Sequence, residues 1–142
     1  MFNFQLVSIS GKKFDDDVYE VVLPTLDGEI GILHDHMPLV SVATTGAIAI
    51  RRQSKDSDAQ REYFATNGGV IEIDNNTVRI LVDEADHADN INEAEAQKAL
   101  DRAHKMKAEA KDQVSLEHAQ TLVDRQSIRL QVAGLKRRHQ KH

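Results

Sequence analysis

The strongest constraint in this chain is a change of period near Ala88. Before it, short apolar runs are cut by Gly, Pro, Asn and Asp; from Asn92 to Ala133 there is neither Gly nor Pro. The first part contains FQLVSI, VYEVVL, GEIGIL, PLVSVA, GAIAIRR, REYFAT, GVIEI and TVRILV, all rich in the Val, Ile and aromatic residues that suit a pleated, half-buried surface. In the last of these, Val78, Ile80 and Val82 alternate with Arg79, as expected where one strand face is buried and the other wet. Asp74-Asn75-Asn76 predicts a tight hairpin, because Asn and Asp tolerate positive φ. Short strands at this spacing read as a sandwich or a barrel, not as an α/β sheet.

The second part is built from good helix formers, Ala, Glu, Lys, Gln, Arg and Leu. Asn90 or Asn92 can cap a first helix, with Glu93 and Glu95 in the first turn where the helix dipole favours anions. A break is predicted between Ala110 and Ser115, where Asp112 or Ser115 can cap a second helix running to about Arg138, with Gly134 a weak point in its last turns. One stripe consists of Ala96, Ala99, Leu100, Ala103, Met106 and Ala110; the other of Leu116, Ala119, Leu122, Val123, Leu130 and Ala133. A buried methylene contributes about 0.8 kcal/mol, so so alanine-rich a seam predicts a hairpin that can detach. Charge divides at the same boundary. Residues 1–88 carry 7 Lys and Arg against 15 Asp and Glu; residues 89–142 carry 11 against 8. The two parts are expected to face different partners.

The formal charge of -5 argues against a general nucleic-acid binder, which needs a basic face to displace counterions. There is no cysteine, hence no disulfide and no thiolate metal site. No run approaches the roughly 18–20 apolar residues that span a bilayer, and MFNFQLVSIS lacks the basic flank of a leader, so a soluble, unsecreted chain is expected.

The cluster in DGEIGILHDHMPLV invites chemistry, since Glu29, His34, Asp35 and His36 stand close in sequence. A zinc site needs further ligands at suitable spacing, and neither HExxH nor any cysteine set occurs. Ser8 and Ser41 lie in strand-like runs without a G-x-S-x-G turn, so no catalytic triad is expected. Asn67-Gly68-Gly69 is not a phosphate loop and reads as a turn or bulge. Arg125 and Arg129, spaced i, i+4, share a helix face that can grip carboxylates or phosphate, although neighbouring Asp124 fits a plain surface nearly as well. The basic end LKRRHQKH reads as a solvated charge run or an acidic-partner contact.

Three segments now combine. GEIGILHDHMPLV is similar to GExGIxxxHxPL, GAIAIRR to a G-x-I-x-I strand, and TNGGVIEIDNNTVRILVDEA to SGGxxEVxxxxVTVLAD. Together with the order of parts, the chain resembles the epsilon-subunit family of bacterial F-type ATP synthases along essentially its whole length. The resemblance implies a β-sandwich of about ten short strands over 1–88 and an antiparallel two-helix hairpin over 89–142. It implies a noncatalytic, peripheral stalk subunit at the cytoplasmic face of the bacterial membrane, with the gamma subunit, the c-ring and the alpha/beta catalytic head as partners. Gly28, Glu29 and Gly31 would meet the c-ring; Ser8, His36 and Pro38 would meet gamma. Arg125 and Arg129 would belong to a regulatory tail that inhibits ATP hydrolysis when extended; a continuous helix over 92–138 would reach about 70 Å. Some members bind ATP through [IL]-D-x-x-R-A, which here is Ile91-Asn92-Glu93-Ala94-Glu95-Ala96. Asn92 and Glu95 replace the Asp and the Arg, and Glu95 would repel phosphate, so no regulatory ATP and no other cofactor is expected. His34-Asp35 also stands where the family has Pro-Gly, and Gln53 to Arg61 is long and charged. A rival reading is a free-standing adaptor with the same architecture.

Overall fold

Two strands of 13 residues organise the sheet. The computed structural model describes residues 1–140, in which β1 is Phe2–Ser8, β2 Gly11–Val18, β3 Glu20–Thr25, β4 Gly28–Ile32, β5 Leu39–Arg51, β6 Glu62–Asp74, β7 Thr77–Val82 and β8 Ala85–His87. The strand order is β2-β1-β7-β6-β5-β3-β4, with β8 paired to β6 beyond the end of β7. Only β1 and β7 run parallel. The sheet is mixed and unclosed, and it folds over on itself. Phe14 of edge strand β2 meets Phe64 of β6 edge-on at 6.3 Å, although β1 and β7 stand between them in the ladder. Arg52 ties the same two regions, bonding Asp16 and Glu62 at 2.8 and 2.6 Å with its guanidinium 4.8 Å from the Phe14 ring centre. One apolar core, including Phe4, Leu6, Val21, Leu23, Ile48, Ile50, Ile71 and Ile80, fills the space between the layers.

There are eight strands, not about ten, because four expected runs fuse into two. PLVSVA and GAIAIRR form β5; REYFAT and GVIEI form β6. The glycines between the runs are inside strands because the backbone there passes close to its neighbours. A Cβ on Gly46 would come within 2.6 Å of Pro24, and one on Gly69 within 1.9 Å of the Leu81 carbonyl. Gly68 adopts φ +108°, and the side-chain alternation slips by one there: Ala43 faces the core on one side of this point, Ile48 and Ile50 on the other. Gly69→Ala should therefore destabilise the sandwich by about 1–3 kcal/mol, visible as a lower urea midpoint. The added strand β2 escapes sequence reading because GKKFDDDV buries only Phe14 and Val18; charges suit such an edge, where they discourage pairing with another chain. The Asn75-Asn76 turn is as expected, both residues at positive φ (48° and 63°) between paired Asp74 and Thr77.

Helices α1 (Glu93–Glu109) and α2 (Gln113–Gln140) form the predicted hairpin. Asn92 caps α1, its Oδ1 accepting from the Glu95 amide at 3.0 Å. Asp112 caps α2 by accepting from the Ser115 amide at 2.7 Å, and this bond holds its carboxyl below the usual aspartate range. A lowered folded-state pKa means that the stabilisation is present above the unfolded pKa and is lost as pH falls through the folded one. Acidification should thus loosen the first turn of α2, seen as a lower protection factor for the Ser115 amide once the slower intrinsic exchange at low pH is divided out, and Asp112→Ala should show the same loss of protection at neutral pH.

The faces are partly different from those predicted. In α1 only Ala96 and Ala103 are fully buried, and Met106 is exposed, as is Leu116 in α2. Helix α2 also buries Ile128 and Val132, which lie off the predicted stripe because α2 has two neighbours. With Leu130, Ala133 and Leu135 they cover Ala47, Ala49, Tyr63 and Ala65 on the outer side of β5 and β6. The thin alanine seam thus describes α1, which leans on α2, while α2 is seated on the sandwich with larger side chains.

Candidate functional site

The histidine cluster lies on edge strand β4 and the exposed loop after it. Glu29, Gly28 and Gly31 are all exposed. Thr25 fixes the preceding turn, donating from Oγ1 to the Gly28 carbonyl at 2.5 Å and accepting from the Asp27 amide at 3.2 Å. His34 Nδ1 is 3.0 Å from Asp35 Oδ2, while His36 donates from Nδ1 to the Met37 carbonyl at 2.9 Å. Each ring is engaged by its own neighbour. Among the described residues no three His, Asp or Glu side chains converge on one point. Asp35 takes φ +62°, a left-handed conformation that short polar side chains tolerate and glycine adopts freely. The His34-Asp35 pair therefore keeps a tight turn without glycine.

Ser8 does not reach the surface. It is buried, with Oγ 3.0 Å from Ser10 Oγ and donating to the Gly11 carbonyl at 3.2 Å. His36 and Pro38 are exposed at the entrance to β5. The outward residue of β1 beside Ser8 is Val7, and here the ladder reveals what periodicity alone missed. Val7 pairs with Leu81, Leu81 with Val70, and Val70 with Val42, so four apolar residues form one row across four strands. Val42 is 53% exposed, Val70 41% and Leu81 40%, with Val40 beside them at 76%. A contiguous exposed apolar row on a sheet face marks an interaction surface.

The second cluster joins α2 to the segment between sandwich and hairpin. Arg125 lies 2.5 Å from Glu84, and Arg129 Nε lies 3.4 Å from Asp86 without the alignment of a hydrogen bond. Lys136 pairs with Asp89 and Arg137 with Glu93. Arg125 Nε and Arg129 Nε are both buried without a hydrogen-bond acceptor. The i, i+4 arginines were legible in sequence; their partners were not, although Glu84 and Asp86 share the i, i+2 spacing of one strand face. Of the basic end LKRRHQKH, Lys141 and His142 lie outside the described residues.

A family model described as the beta-sandwich domain of the ATP synthase delta/epsilon chain matches residues 1–88. The chain belongs to the ATP synthase delta/epsilon family. It is similar to the ATP synthase epsilon chain of Gloeobacter violaceus, with 36% identity over 121 residues, covering 85% of this chain and 88% of that one. It is likewise similar to the chloroplastic ATP synthase epsilon chain of Adiantum capillus-veneris, with 38% identity over 122 residues, 86% of this chain and 89% of the relative. Among solved structures, a chain of the Euglena gracilis mitochondrial ATP synthase superposes with a TM-score of 0.76 at 19% identity, covering 93% of this chain and 79% of that one. A chain from the central stalk and c-ring of the Tetrahymena thermophila enzyme gives 0.63 at 14% identity, covering 92% and 95%. These two likenesses show a shared fold.

In this delta/epsilon family member the stretch Ile91 to Ala96 is spent on structure. Ile91 is buried in the contact between hairpin and sandwich, Asn92 caps α1, and Glu95 points an exposed carboxylate outward from the first turn. The long segment Gln53 to Arg61 is organised by Arg51, which bonds the Asp56 carbonyl and Asp58 and pairs with Glu20; these partners hold its guanidinium charged even more firmly than a free arginine.

Proposed function

We propose that the chain is the noncatalytic central-stalk subunit of an F-type ATP synthase, coupling rotation of the c-ring to the catalytic head. One observation carries the reading: a sandwich of the ATP synthase delta/epsilon family presents an uncovered apolar row, Val7, Leu81, Val70 and Val42, that crosses β1, β7, β6 and β5 on a part of the sheet that α2 leaves free. Gamma occupies this row, with His36 and Pro38 at its margin and Ser8 acting beneath it to shape the β1–β2 turn. The c-ring lies against the exposed turn and edge strand bearing Gly28, Glu29 and Gly31. No described helix is long and apolar enough to cross a membrane, in keeping with a peripheral place in the complex. The hairpin bearing Arg125 and Arg129 is the regulatory part, restraining ATP hydrolysis when it reaches the head. Calorimetric titration with purified gamma tests the reading. A saturating stoichiometric complex is expected, and no heat or co-elution would overturn it.

A further inference from the structure

The hairpin is held to the sandwich in two unlike ways, and this carries an inference that rests on the two-position tail proposed above. Arg125, Arg129 and Lys136 fall within about 40° of one another around α2, along about 16 Å of its length. All three face carboxylates of one short segment, Glu84, Asp86 and Asp89, and Arg137 extends the row to Glu93. That segment is the joint between the last strands and α1. We propose that these pairs are an ionic latch, and that the strength of the surrounding electrolyte sets how often the hairpin leaves the sandwich.

Three features support a latch over a permanent weld. The side chains of every pair remain partly solvated, so salt can screen them. The two buried arginine Nε atoms without acceptors make the docked state imperfectly satisfied, which favours release. The acidic 1–88 part and the basic 89–142 part add a longer-range attraction of the same sign and the same salt dependence. The apolar seat under Ile128 and Val132 does not respond to salt in this way, so it sets the residual docking when the latch is screened.

The test uses the full chain, which has no native cysteine, with Ser10→Cys and Thr121→Cys carrying spin labels on opposite walls of the groove between the β1–β2 turn and α2. A single short distance is expected at low salt. Raising sodium chloride to about 1 M should increase the long-distance population about tenfold, the scale of several partly exposed pairs acting together. Arg125→Gln with Arg129→Gln should show the long distance already at low salt, and exchanging charges by Glu84→Arg with Arg125→Glu should restore the short one. A distance distribution indifferent to salt and to the double Gln variant, in a chain whose strand signal is intact, would overturn the latch. Gamma binding is read separately: a chain that latches but ignores gamma sinks the functional reading and spares the latch, and the reverse result does the opposite.

Discussion

A chain ending at Ala88 will fold, bind gamma and sustain coupled ATP synthesis, while ATP hydrolysis by the reconstituted complex rises, on the order of fivefold or more if the tail acts as a typical regulatory element. The core between the sheet layers is assembled from Phe2 to Ala85 without a single helical residue. Removing the helices uncovers the outer seat that includes Ala47, Ala49, Tyr63 and Ala65, a small patch next to the full sandwich core. The truncated protein should therefore keep a cooperative urea transition at a somewhat lower midpoint. Hydrolysis equal to that of the full-length complex would show that the hairpin of this chain does not inhibit.

The second large effect is expected at the sheet face. Val42→Asp or Leu81→Asp places a charge in the middle of the uncovered row, where a docked partner would strip its water. Central interface residues of this kind cost about 2–4 kcal/mol when disrupted, so gamma affinity should fall roughly 30-fold to 1,000-fold. Because both side chains point away from the core, the fold itself should tolerate the change, and thermal unfolding of the free variant is the control. Unaltered gamma binding would place the partner on another surface.

How much of this was legible beforehand depends on the length scale of the signal. The β-then-α order, the Asn75-Asn76 hairpin and the Asn92 and Asp112 caps rest on neighbours in sequence, and local chemistry decides them. The number of strands did not follow, because Gly46, Gly68 and Gly69 look like punctuation until the close approach of Pro24 and Leu81 is known. Strand β2 was hidden by its charges. The apolar row was invisible for a different reason: Val7, Val42, Val70 and Leu81 come from four runs, and only the pairing register lines them up. The same holds for Arg125 and Glu84, brought together only when α2 lies down on the sandwich. The histidine loop was legible: His34, Asp35 and His36 are adjacent in sequence but lack the further ligands or partners that chemistry needs, and each ring meets only its own neighbour on an exposed loop.

The fused strands have a mechanical consequence. Each of β5 and β6 runs unbroken for 13 residues, about 43 Å of extended backbone, from the uncovered row at one end to the seat of α2 at the other. If gamma docks on the row as proposed, a twisting load applied at Val42 and Val70 would travel down this ribbon through paired hydrogen bonds, with no flexible loop in series to absorb it. At Gly68, with φ +108°, the ribbon changes which side chains it turns to the core. The partner row and the platform beneath the hairpin are thus two ends of one paired element, so a load taken up at one would be delivered to the other without passing through a loop.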